Sequence, residues 1–198
     1  MYLKSTYFLL LFTLFSCAGT DYTVYPIVNP VDVNPKSSTW LIDEAVLNIN
    51  GYYSTEIIDA YKKILPENFG TVKSIRDYNS LSTINIMLKG NSTALAFYKE
   101  KTNCDYVIET EMKSVQNNLP VFQLHPDKSL TDELYIRIMV YNLKSNELVY
   151  DKEYRFYQTF TGGNDIAFSD KTEKFYKNAI KATVKDFAHK NGWKSKTK

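Results

Sequence analysis

The sequence predicts an α/β fold, a layered sandwich in which helices pack on a mixed, mainly antiparallel sheet within a single domain. Three observations predict it. Helical patterns alternate with short apolar segments in the first half of the chain, a strong β-hairpin follows, and an amphipathic helix comes last. The chain has 198 residues, 44% of them hydrophobic and 23% charged, which is ordinary for a globular protein with a buried core.

The chain opens with a pattern typical of a secretory signal. Lys4 precedes an apolar run at residues 7–15, which is short of the roughly 20 residues that span a bilayer. The segment LFSC at residues 14–17 resembles the lipobox of bacterial lipoproteins. This resemblance implies that residues 1–16 are a signal peptide and that the thiol of Cys17 carries a diacylglyceryl group. A plain signal peptide and an uncleaved N-terminal anchor are the alternatives.

Residues 17–37 follow as the lipidated cysteine and its linker to the fold. Three prolines recur in this segment, and proline removes a backbone donor and fixes φ. The pattern predicts an extended tether that leads to a globular domain at residues 38–192. A second interpretation is an edge strand over Tyr22–Val28. A basic tail, residues 193–198, ends the chain.

The sequence of the first half of the domain predicts two strands and two helices. A strand is predicted within Thr39–Asn50. A helix capped by Ser54 and stopped by Pro66 comes next. A short strand within Gly70–Tyr78 and a helical piece at Thr93–Lys101 complete this half.

The second half carries the clearest β pattern. A strand begins at Asp105, and an apolar strand follows in which Arg137 is the one charged residue. A turn at residues 144–146, with Asn146 able to adopt positive φ, returns the chain as a strand over Glu147–Tyr157. One face of that strand is predicted to carry Leu148, Tyr150, Tyr154 and Phe156.

The last predicted element is an amphipathic helix that starts with a capping-box pattern at Asp170 and Glu173. Its apolar residues recur at helical spacing, which is typical of a helix lying on a sheet. The Asn-Gly pair at residues 191–192 provides a stop signal for it.

Two short motifs add a family resemblance. NCDYVI at residues 103–108 is similar to the G-A-D-Y-hydrophobic strand entry of a superfamily. That group contains the TolB N-terminal domain, the curli-secretion lipoprotein CsgG and the LpoB-type activators of penicillin-binding proteins. YNLKSNELV at residues 141–149 resembles the group's D-x-x-T-G-E-hydrophobic turn. The resemblance implies this element order over residues 39–190 and a protein-binding envelope role. It implies no shared catalytic residue.

The residues offer little chemistry for catalysis. The two histidines, His125 and His189, lack paired ligand spacing, so we predict no metal and no cofactor. Glu109 and Glu111 form one candidate acid–base pair, although we expect a solvated strand face. Cys104 is expected to be a buried packing residue. A net charge of +2 indicates no nucleic-acid footprint.

Two long connections contain apolar residues among polar ones, a pattern that marks contact sites when exposed. The candidate partner-binding residues are Leu119, Val121, Phe122, Leu124, Phe160, Ile166 and Phe168. The alternative is that both connections fold back over the sheet.

The predicted function is that of a cell-envelope lipoprotein, anchored to a membrane by its lipid and facing the periplasm, with the outer membrane as the expected location. We expect a non-enzymatic protein-binding, assembly or regulatory factor with an envelope protein partner and no nucleic-acid partner. The alternatives are a small-ligand or lipid-binding periplasmic carrier, an envelope enzyme, and a secretion-channel subunit.

Overall fold

The computed structural model describes residues 22–28, 35–43, 46–47, 52–78, 92–116, 130–160 and 167–189. The strands are β1 (Tyr22–Val28), β2 (Thr39–Ile42), β3 (Val46–Leu47), β4 (Thr71–Ser74), β5 (Tyr106–Gln116), β6 (Leu130–Asn142) and β7 (Glu147–Phe160). The helices are α1 (Tyr52–Ile64), α2 (Ser92–Thr102) and α3 (Ala167–Ala188), with short 3₁₀ turns at Pro35–Ser37, Leu65–Glu67 and Ile75–Asp77. The predicted fold class is confirmed: one domain in which helices pack on a mixed, mainly antiparallel sheet.

The strands of the described residues form one sheet in the order β1-β7-β6-β5-β2-β4, and β3 pairs with β5 beside this path. β1, β7, β6 and β5 pair antiparallel, whereas β2 lies parallel to both β4 and β5. Parallel neighbours need crossover connections, and α1 and α2 lie in the segments that join β2 to β4 and β4 to β5.

α1 and α3 pack on one sheet face, which we call the packed face. Phe187 of α3 lies in the middle of its core, with ring centroids 5.1 Å from Tyr150, 5.5 Å from Phe69 and 6.0 Å from Tyr61. Buried tyrosine hydroxyls need partners. Tyr61 bonds Thr110 at 2.8 Å, and Tyr154 donates to Asp186 at 2.9 Å.

α2 covers only half of the opposite face. Its residues Leu95 and Tyr98 pack on Leu41, Val107 and Met139 in a second buried cluster. Cys104 lies in this cluster, 5% exposed and free, so its predicted packing role is confirmed. The rest of this face has no helix from the described residues on it.

Of the two interpretations for Tyr22–Val28, the second, an edge strand, is correct. This segment is edge strand β1, which pairs with β7 from Tyr22 opposite Phe156 to Val28 opposite Asp151. Pro26 is tolerated because an edge strand has one backbone side that pairs with no neighbour. The predicted tether therefore contains an integral part of the sheet.

The hairpin of β6 and β7 is confirmed, including Asn146 at φ 59°. The prediction that Leu148 shares a face of β7 with Tyr150, Tyr154 and Phe156 is wrong. A β-bulge opposite Val140 and Tyr141 shifts the register, so the side chains before and after the bulge occupy opposite faces of the sheet. Leu148 consequently packs in the α2 cluster, whereas Tyr150, Tyr154 and Phe156 lie in the packed face.

Other boundaries differ by a few residues. α1 begins at Tyr52 rather than after Ser54, and α3 begins at Ala167 rather than near Asp170. The strand predicted within Thr39–Asn50 is divided into β2 and β3. The predicted helical piece at Thr93–Lys101 is confirmed as α2. No helix in the described ranges has the length and apolar content needed to cross a bilayer.

Candidate functional site

The half of the second sheet face that none of the described helices covers forms the candidate site, which we call the open face. A shallow groove of about 420 Å³ runs along it. It is lined by Glu111, Lys113, Val115, Tyr135, Arg137, Glu153 and Arg155. Tyr25 of β1 borders it, 42% exposed, with its ring against Arg155.

Sheet register explains why these residues meet. In a strand alternate residues share a face, and paired residues in neighbouring strands lie side by side. One cross-strand row runs from Lys113 through Tyr135 to Arg155. The next row runs from Glu111 through Arg137 to Glu153 and ends at Tyr25, its partner on β1.

Arg155 is the centre of the open face. Its guanidinium lies 4.4 Å from the ring centroid of Tyr25 and 5.3 Å from that of Tyr135, within the range of cation–π attraction. Its Nε donates to Oε1 of Glu153 at 2.7 Å, and this bond raises the pKa of Arg155. Tyr135 donates its hydroxyl to Glu133 at 2.7 Å, which raises the pKa of Tyr135. The arginine and its aromatic neighbours are thus held in place before any partner binds.

A second ion pair lies where the open face meets the α2 cluster. Arg137 donates two bonds to Asp151, from Nε at 2.8 Å and from a terminal nitrogen at 2.6 Å. Asp151 is only 1% exposed, and its bonds raise the pKa of Arg137. A bidentate pair with one buried member is a fixed structural feature.

The expectation of a solvated face at Glu109 is wrong. Glu109 is 7% exposed because it lies on β5 opposite Met139, close to the α2 cluster. Burial, followed by the charge of Glu109, raises the pKa of Tyr141 to about 12. Glu111 is half-buried and lines the groove. Glu111 is the cross-strand partner of Arg137, whereas Glu109 is the partner of Met139, so the two carboxylates occupy different environments.

Most of the predicted contact residues lie outside the described residues. This applies to Cys17, Leu119, Val121, Phe122, Leu124 and Ile166, and also to His125. Phe160 is the last residue of β7, and Phe168 belongs to the first turn of α3. The structure gives the backbone position of these two residues.

A larger groove of about 650 Å³ lies on the outer surface between α1 and α3. Its lining includes Ile64, Ile180 and Ala188, together with charged residues from both helices. Lys177 crosses it, with Nζ 2.8 Å from Glu173 and 3.5 Å from Glu56. An ion-paired groove of this kind is ordinary between two packed surface helices.

Among the described residues, no cluster of histidine, cysteine, aspartate and glutamate could hold a metal ion. His189 is exposed at the end of α3. The chemistry that the open face offers is therefore contact through tyrosine rings, guanidinium groups and charges of both signs.

Sequence reasoning missed the residues of the open face. The signal was present in β7, where Asp151, Glu153 and Arg155 share one strand face and the buried Tyr150, Tyr154 and Phe156 share the other. A count from the hairpin turn places Arg137 opposite Lys152, whereas the bulge places it opposite Glu153. The sequence alone could have shown which residues of β7 share the open face, but which residues of β6 they pair with depends on the bulge.

No family model matches the chain, and no curated protein matches it. It resembles the structure of a lipoprotein B from Nitrosomonas europaea, with 11% identity and a TM-score of 0.46 over 78% of this chain and 83% of that one. A neuraminyllactose-binding hemagglutinin homolog from Helicobacter pylori has 13% identity and a TM-score of 0.45 over 85% and 91%. A minor lipoprotein from Acinetobacter baumannii has 10% identity and a TM-score of 0.44 over 77% of this chain and 91% of that one. Likeness at these values carries no argument about activity.

Proposed function

We propose that the protein is a bacterial cell-envelope lipoprotein, anchored through Cys17, that acts as a non-enzymatic binding or assembly factor for an envelope protein. The partner contacts the open face. The observation that carries this proposal is Arg155, held between Tyr25 and Tyr135 on the part of the sheet face that no helix of the described ranges covers.

The residue types of the open face support a protein partner. Tyrosine and arginine are enriched in protein interfaces and at the positions that contribute most to binding. Arg155 and Tyr135 are already fixed by Glu153 and Glu133, so binding orders few side chains.

The charges of the open face support the same choice. One cross-strand row carries Lys113 and Arg155 on either side of Tyr135, and the next row alternates Glu111, Arg137 and Glu153. Such mixed charges create no extended positive field that would attract a polyanion. They do match a protein surface that presents both signs in a complementary order.

The anchor is tested by mass spectrometry of the mature N-terminus. We expect a chain that begins at Cys17 with an attached diacylglyceryl group. An intact Met1 or an unmodified thiol at position 17 would contradict the anchored role.

The partner is tested by photo-crosslinking in intact cells. One variant carries the crosslinking residue at Lys113 on the open face, and the matched control carries it at Lys181, which is exposed on α3. We expect a discrete protein adduct from position 113 and none from position 181. Equal adducts from both positions, or none from either, would refute a partner at this face.

The substitution Arg155→Ala sharpens this test. It removes the group that joins the two rows, and truncation of an arginine at the centre of an interface weakens binding by about tenfold or more. We expect the adduct at position 113 to fall by that factor, whereas Lys185→Ala on α3 leaves it unchanged. An adduct that is insensitive to Arg155→Ala would exclude the proposed centre of the contact.

An enzymatic role for the carboxylates predicts a different result. Glu111→Gln and Glu153→Gln retain size and remove charge at the two groove carboxylates. If the protein is a binding factor, any loss of the cellular phenotype in these variants is accompanied by a weaker adduct at position 113, because both carboxylates belong to the open face. Loss of the phenotype with an intact fold and an intact adduct would favour an enzyme.

A further inference from the structure

One cross-strand row of the open face carries two cations and no acid, and what it binds deepens the proposed function, on which this inference rests. Lys113, Tyr135 and Arg155 follow one another across β5, β6 and β7. Neighbouring strands lie about 4.8 Å apart, so the backbones of the lysine and the arginine are about 10 Å apart. Both side chains are long enough to reach a common point above the tyrosine ring between them.

The two cations of this row have donors that the fold does not use. Lys113 is exposed, and it forms no ion pair with any of the described residues. The side chain of Arg155 is 38% exposed and donates from Nε to Glu153. Its two terminal nitrogens donate to no residue in the described ranges. An anion above the row therefore receives hydrogen bonds without breaking any that stabilise the fold.

The fold also restrains the direction of these donors. The guanidinium of Arg155 has the ring of Tyr25 at 4.4 Å on one side and the ring of Tyr135 at 5.3 Å on the other. The bond to Glu153 holds the same group at its Nε. A carboxylate accepts two parallel bonds from a guanidinium. It therefore fits a donor pair that is oriented in advance, and its binding orders few side chains.

The next row decides which anion fits best. Glu111 precedes Lys113 by two residues on β5, and Glu153 precedes Arg155 by two residues on β7. Two residues of strand span about 7 Å, so both acids lie close to an anion bound above the first row. They repel a phosphate, which carries up to about two charges at neutral pH, more than they repel a carboxylate with one. The same repulsion disfavours a polyanion.

We propose that the protein partner places one aspartate or glutamate carboxylate above Tyr135, between Lys113 and Arg155. Arg155 donates to it from its terminal nitrogens, and Lys113 supplies the second positive charge. The row recognises a single acidic side chain within the partner's surface, and the acids of the next row exclude an acidic tract.

The contact is tested by photo-crosslinking in intact cells from Thr23, an exposed residue of β1 in the same row as Arg155. We expect Lys113→Glu to lower the protein adduct about tenfold, because it replaces a charged donor with a repelling group. Lys113→Arg should retain the adduct. The matched control is Lys174→Glu, which makes the same change of charge at an exposed position of α3 and should leave the adduct unchanged.

A charge exchange across the contact provides the decisive result. Peptide mapping of the adduct identifies the crosslinked segment of the partner, and each aspartate or glutamate of that segment is replaced in turn by lysine. We expect one such replacement to restore the adduct of Lys113→Glu and to lower the adduct of the wild type. Restoration also shows that Lys113→Glu is folded. If no replacement restores the adduct, the carboxylate contact is overturned.

The possible results separate this contact from the proposed function. A protein adduct that is insensitive to Lys113→Glu, or that falls equally with Lys174→Glu, would overturn the carboxylate contact and leave the protein partner in place. Adducts that contain only lipid, or no adduct from position 23 and none from position 113, would overturn both. Since Lys113 is exposed, the circular dichroism of Lys113→Glu should match that of the wild type.

Discussion

The two halves of the second sheet face share strands β5 and β6 and differ in what lies over them. Under α2, the strands present Leu41, Val107 and Met139. On the open face, β5 presents Lys113 and β7 presents Arg155. The comparison shows that a strand changes from apolar to charged residues along a single face where its cover ends.

The change occurs at a defined boundary. Glu109 and Asp151 are the two cross-strand partners of Met139, and both are buried. Arg137 lies two residues before Met139 on β6 and donates a hydrogen bond to Asp151. Charge at this boundary is tolerated because Asp151 accepts two bonds from one guanidinium. The open face begins with this pair.

The largest expected effect breaks the covered half. Leu95 of α2 is 1% exposed, and Leu95→Ala removes packed methylene groups and leaves a cavity. We expect a loss of about 3 kcal/mol in the free energy of unfolding, measured by urea denaturation. Lys99→Ala, at an exposed position on the same helix, should change it little. A loss below about 1 kcal/mol for Leu95→Ala would show that α2 contributes little to the core.

The next effect lies at the boundary. Asp151→Ala leaves Arg137 without its carboxylate in a partly buried position. Loss of one member of a buried pair is strongly destabilising. Because Arg137 retains some access to solvent, we expect about 2 kcal/mol by urea denaturation. Glu153→Ala in the more exposed pair with Arg155 is the control, and it should cost clearly less. Equal losses in the free energy of unfolding would mean that the ion pair at the boundary stabilises the fold no more than the ion pair on the open face.

The smallest effect concerns Asp105, which lies beside the hairpin turn of β6 and β7, and it depends on pH. Burial opposes ionisation of Asp105, but bonds from Thr39 and Lys144 outweigh it and lower the pKa of Asp105. A lowered pKa stabilises the fold above the ordinary pKa, and that contribution is lost as pH falls through the folded value. We expect Asp105→Asn to cost about 1 kcal/mol at neutral pH.

The pH dependence provides the check on Asp105. Urea midpoints of wild type and Asp105→Asn should converge as the pH falls from about 5 to about 2. Asp77, whose pKa is lowered first by the backbone bond from Ser74, is present in both proteins, so its titration cancels in the difference. A gap that stays constant with pH would contradict the role of the Asp105 carboxylate.

The sequence predicted the parts of the fold that local periodicity determines. The hairpin, the helix at residues 93–101 and the buried Cys104 were all predictable, because each shows its pattern within a short window. The contact residues predicted in the long connections, such as Phe122 and Ile166, remain predictions. The open face was not predicted, because Tyr25, Tyr135 and Arg155 are separated in sequence by up to 130 residues.

The sequence by itself determined the alternation of residues in β5, β6 and β7 and the lipobox-like segment at residues 14–17. Only the tertiary structure decided that β1 joins the sheet, that a bulge places Arg137 opposite Glu153, and that α2 stops short of Arg155. The physical reason is that pairing register and cover depend on contacts between distant segments. A one-residue shift exchanges the two faces of a strand without any change in its composition.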